Sequence, residues 1–110
     1  MAFLLARAIL IAFLMISCTK AIAQTPIIGL GSQRCSAWTA NSSASGGGVG
    51  LLYQQWIYGF LSSSAERDPD LLKDIDDANA IKRWLDNYCQ DNSTARLVEA
   101  ARAFVSARRP

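Results

Sequence analysis

Few side chains in this chain are of types that do chemistry, and most of them lack partners. Ser62, Ser63 and Ser64 offer hydroxyl nucleophiles, but the sequence contains no histidine to serve as their base. Nothing marks a Ser–Lys dyad with Lys73 or Lys82, and no nucleophile elbow is present. Six carboxylates crowd residues 66–77 (ERDPDLLKDIDD): Glu66, Asp68, Asp70, Asp74, Asp76 and Asp77. They lack the D-x-D-x-D-G spacing and closing Glu of a calcium-binding EF-hand. A small helical chain also offers little of the cleft across which two glycosidase carboxylates work. Gly46, Gly47 and Gly48 follow no strand and lack the lysine of a phosphate-binding loop. The expectation is a protein without catalytic residues, metal or cofactor.

The cysteines are more informative. Residues 2–16 are apolar except for Arg7, and Ala21 and Ala23 form an A-x-A site. That arrangement predicts a secretion signal over residues 1–23, cleaved before Gln24. The alternatives are an uncleaved membrane anchor, or a lipid on Cys18, with Met15 where a lipoprotein signal prefers Leu. Each of them exports the domain, to the periplasm or beyond. The mature chain then keeps two of its three cysteines, Cys35 and Cys89. In an oxidising compartment they are expected to pair, with no ambiguity of connectivity.

The elements that must position these groups are helices. Residues 24–48 are expected to be an extended leader, broken by Pro26, Gly29 and Gly31, followed by a flexible Gly/Ser-rich linker. From Val49 the apolar residues Leu52, Tyr53, Trp56, Ile57, Phe60 and Leu61 recur at three- and four-residue steps, predicting a helix to about Ala65. Gly59 inside it is expected to permit close packing. Pro69 suits a short helical turn through Leu71, Leu72 and Ile75. Asp76 or Asp77 caps the next helix, whose stripe is Ile81, Trp84, Leu85 and Tyr88 and whose end falls at Cys89–Asp91. Asn92 or Ser93 is expected to cap a last helix from Thr94 to about Arg108. Two sequons, at Asn41 and Asn92, match the N-glycosylation pattern. No strand pattern appears. The fold class is all-α, a small three- to four-helix orthogonal bundle stapled by Cys35–Cys89, with the helical domain at 49–110. A core this small benefits from such a staple.

Of the three tryptophans, Trp56 and Trp84 sit at helical spacing and read as core. Trp38 falls outside every expected helix and is the one expected to be partly exposed. Loss of Arg7 and Lys20 with the signal leaves nine Lys/Arg against nine Asp/Glu. That balance argues against a nucleic-acid binder. The charge is nevertheless divided: residues 24–77 are acidic and residues 78–110 basic, a pattern that suits self-pairing as a homodimer.

A signal, a Cys before the first main helix, a second Cys closing a later helix, and one final helix together resemble the HdeA/HdeB family of periplasmic acid-stress chaperones. The matching stretches are Cys35, YQQWIYGFLSS (53–63), IKRWLDNYCQD (81–91) and the helix that follows. The long Gly/Ser linker, the three tryptophans and the scarcity of lysine depart from that family. The layout is also similar to Tai-type immunity proteins, small exported partners of secreted effectors, with the Gly59–Phe60 helix and WLDNYC (84–89) as the matching parts. The first resemblance implies a stress-response chaperone that opens in acid and holds unfolded protein clients. The client-binding residues would then be Trp38, Trp56, Ile57, Phe60, Trp84 and Leu85. With no histidine, acid sensing would fall to the carboxylates from Glu66 to Asp77. The second implies a stoichiometric binder of one protein partner at neutral pH. Neither involves nucleic acid, nor a membrane unless Cys18 is lipidated.

Overall fold

The structure, a computed structural model, describes residues 26–42 and 47–110. The expected signal, its cleavage site, Cys18 and the middle of the Gly/Ser linker lie outside the described residues. Four helices follow a short 3-10 turn at Leu30–Ser32: α1 (Cys35–Asn41), α2 (Gly47–Arg67), α3 (Ala78–Asp91) and α4 (Leu97–Arg108). Among the described residues there is no strand, only one isolated antiparallel bridge between Arg34 and Arg96. The all-α class and the Cys35–Cys89 staple stand as expected.

Helix α1 corrects the expected leader. The sequence suggests no helix before Val49, yet CSAWTAN forms one, seven residues long and without a side-chain cap. Such a segment is marginal alone. Tertiary contacts hold it. The Cys35 N–H donates to Ala95 O at 2.7 Å and the Ser36 N–H to Ser93 O at 3.0 Å, supplying two donors that a helix start otherwise leaves unpaired. In return the Leu97 N–H, first in α4, donates to Gln33 O at 2.8 Å. The residues preceding α1 and α4 thus cap each other through the backbone. Neither Asn92 nor Ser93 caps α4: Arg96 stands at its N-cap, and the Asn92 amide turns back to Tyr88 O. Helix α4 starts at Leu97, and the Glu99 carboxylate folds back to accept the Arg96 N–H at 2.6 Å.

Helix α3 begins as expected on Asp77, whose carboxylate accepts the Asn79 N–H at 2.9 Å. It ends at Asp91, where the Asn92 side-chain amide donates to Tyr88 O at 2.9 Å. Between α2 and α3, residues 69–74 form consecutive turns rather than a helix, pinned by the buried Leu71. Arg108 Nε, from the end of α4, donates to Leu71 O at 2.6 Å, and its guanidinium lies 5.7 Å from the Phe104 ring centroid.

The core is the meeting of one face from each helix. Ile57 and Leu61 of α2, Ile81 and Leu85 of α3, and Leu97, Ala101 and Phe104 of α4 converge on Trp38 and the disulfide. Both cysteines are fully buried, with Cα atoms 4.8 Å apart across a sequence separation of 54. Gly50 lets α2 cross closely over α1, since a Cβ there would overlap the Asn41 carbonyl. Gly59 does not do this job. It faces solvent with nothing within 4 Å of where a Cβ would sit, so the expected packing role is absent.

Candidate functional site

The apolar side of α2 has two parts. Tyr53, Ile57 and Leu61 are buried in the core. Val49, Leu52, Trp56 and Phe60, again at three- and four-residue steps, form a second ridge beside them. This ridge is open at its N-terminal end: Val49 is 49 % exposed and Leu52 61 %, with Leu51 nearby at 55 %. Large apolar residues so exposed on one turn mark a contact surface more often than an isolated exposed leucine does.

Further along, the ridge is half-covered. Trp56 and Phe60 stack with centroids 5.6 Å apart. The segment before α1 lies across the indole, and Trp56 Nε1 donates to Ile28 O at 3.2 Å. Gly29 (φ 87°) and Gly31 make this seat possible. The left-handed φ suits glycine, and a Cβ on Gly31 would overlap the Trp56 six-membered ring. A second aromatic group joins α3 and α4. Trp84 stacks on Tyr88 at 5.5 Å and meets the Phe104 ring edge-on at 5.3 Å.

The residues expected to bind clients therefore divide. Ile57 and Leu85 are wholly buried, while Trp56, Phe60 and Trp84 are half-buried. Trp38 is the reverse of its expected place: it is 0 % exposed, at the centre of the core. Its indole N–H donates to Asp86 Oδ1 at 2.8 Å. Asp86 also accepts from Ser42 Oγ at 3.3 Å and, through Oδ2, from Lys82 Nζ at 2.7 Å. This node lies at a shallow recess lined by Thr39, Ser42, Lys82, Asp86 and Gln90. The Lys82–Asp86 spacing of four on one helix is a signal visible in sequence. The tryptophan 48 residues away is not.

The six carboxylates do not gather into one cluster. Asp77 caps α3, Asp70 pairs with Lys73 at 3.4 Å, and Asp68 pairs with Arg109 at 3.5 Å. Glu66, Asp74 and Asp76 are exposed. Among the described residues no group of three or more His, Cys, Asp or Glu is placed to hold a metal ion, and no helix is long and apolar enough to cross a membrane. Near the start of α3, burial pushes the Tyr58 phenol above its usual pKa. The Asp77 charge pushes the same way and Lys82 opposes it.

No family model, curated protein or solved structure matches the chain.

Proposed function

We propose that this is an exported, non-enzymatic stress-response chaperone of the periplasmic acid-chaperone type, binding unfolded polypeptides through the apolar faces of α2. The observation that carries the reading is the Val49–Leu52–Trp56–Phe60 ridge, exposed at one end and half-covered by a short strap at the other. The covalent staple joins α1 to α3, and no cross-link reaches α2. In this reading helix α2 parts from its neighbours while α1 and α3 stay tied. Its departure would uncover Tyr53, Ile57 and Leu61 next to the ridge.

Acid supplies a physical cause for that opening. Carboxylic acids lose their charge around pH 4. The four ion pairs of the described residues each need a carboxylate. With nine Asp/Glu neutralised and the Lys/Arg retained, the chain becomes strongly positive. Self-repulsion then favours the open form and keeps a bound client in solution. The test is client protection across pH: an aggregation-prone client stays soluble with the protein in acid and gains nothing from it at neutral pH.

A second reading is favoured by one observation. Val49, Leu51 and Leu52 are exposed in the closed bundle, so the protein offers an apolar contact at neutral pH as well. That would serve a stoichiometric binder of one folded partner, of the immunity-protein kind. Such a protein protects no unfolded client and retains one partner at neutral pH in a pull-down.

A further inference from the structure

An open groove of about 600 Å³ lies between α2 and α4, away from the exposed end of the ridge. Its apolar floor is Phe60 and Val105, with Ile27 from the N-terminal segment alongside. Three guanidinium side chains line it: Arg67 at the end of α2, and Arg102 and Arg109 from α4 and the residue just after it. Arg102 and Arg109 are seven residues apart, about two helical turns, or roughly 10 Å along the axis. The cations are thus strung along the groove.

Asp68 shows how a carboxylate seats on this rim. Its Oδ2 lies 3.5 Å from Arg109 Nε. Among the described residues neither Arg67 nor Arg102 has a carboxylate within 4.0 Å. The undescribed residues cannot supply one, because residues 1–25 and 43–46 contain no Asp or Glu. Arginine forks match carboxylates in two-point geometry, and a low apolar floor beside them strengthens the pairing.

We infer that this groove binds an acidic peptide segment, carboxylates on Arg67 and Arg102 and one apolar side chain on Phe60 and Val105. A spaced row of cations over an apolar floor suits an extended chain with acidic residues on either side of a hydrophobic one. The site belongs to the closed bundle at neutral pH and needs no acid opening, so it goes beyond the client binding proposed above.

The test uses the exported, oxidised protein and two short fluorescent peptides. One has glutamates flanking a Leu–Phe pair, and the other has lysines in their place. At pH 7 and low salt the acidic peptide raises the anisotropy and the lysine peptide does not. Arg102→Glu and Arg67→Glu each weaken binding about tenfold or more, and added salt weakens it further. Both positions are exposed, and circular dichroism checks that the helices are intact. Equal binding of both peptides, no binding of either, or no effect of the two variants overturns the inference. So does preference for vesicles of anionic phospholipid over the peptide, which would make the groove a lipid site. Client protection in acid is a separate readout, so failure here leaves the chaperone reading standing, and the reverse also holds.

Discussion

Trp38 and Asp86 lock the two disulfide-linked helices together a second time. The fully buried indole of α1 donates to Asp86 Oδ1 of α3 at 2.8 Å, on the same pair of helices that Cys35 and Cys89 join. One contact is covalent and buried, and the other is polar and at the edge of the core.

Removing the acceptor should therefore cost more than removing a surface charge. Asp86→Ala leaves the Trp38 N–H and the Ser42 hydroxyl without their partner, and a loss of about 1–3 kcal/mol is expected. Asp86→Asn keeps an acceptor for the indole and loses only the Lys82 pair, which is worth about 0.5 kcal/mol or less at its partly exposed position. Urea unfolding of the two variants measures the difference. Equal losses would mean that the indole bond contributes nothing.

The glycines give an opposed pair of outcomes. Gly31→Ala drives a methyl into Trp56 and should displace the indole, costing about 1–3 kcal/mol and shifting its fluorescence. In a Trp56→Ala background, where the clash is gone, Gly31→Ala should cost little further. Gly59→Ala adds a methyl in open solvent within a helix interior and should stabilise by about 0.5–1 kcal/mol. Thermal melts of the three variants check both signs.

Cys35→Ser with Cys89→Ser opens a loop whose ends are 54 residues apart. The loss expected from chain entropy is roughly 4 kcal/mol. The backbone bonds between residues 33–36 and 93–97 remain possible, so the helices should re-form at lower stability rather than vanish. Denaturant unfolding with and without reductant reads this directly.

Tyr58 makes one pH-dependent contribution to stability on the alkaline side. The folded state favours the neutral phenol, so its contribution is complete below the ordinary tyrosine pKa and is lost as pH rises through the higher folded value. Tyr58→Phe should flatten the fall of stability in that range, as urea midpoints collected above about pH 9 would show.

How far the fold could be read from sequence depended on where each signal lay. Helix α2, the Asp77 cap and the end of α3 were legible because their apolar steps and capping residues lie within one element. Helix α1 was not legible: its start is capped by carbonyls of residues 93 and 95, and Trp38 is buried in the shared core with its indole on Asp86 of α3. The same reason hid the start of α4, where Glu99 and Gln33 stand in for the expected Asn92 or Ser93. In the candidate site the aromatic residues Trp56 and Phe60 were visible as a stripe. The strap of Gly29 and Gly31 over them, and the arginine groove, come from contacts between distant segments. Gly59 misled because its neighbours alone do not say which way a helical residue faces.

The most direct measurement is a pH titration of the oxidised protein, residues 24–110, from pH 7 to about pH 2, following tryptophan fluorescence, molecular size and suppression of client aggregation together. Around the carboxylic-acid range near pH 4, the emission of Trp56 should shift reversibly to the red as α2 parts, and client protection should appear over the same interval. A protein that stays compact, keeps its emission and leaves the client to aggregate would contradict the proposed function.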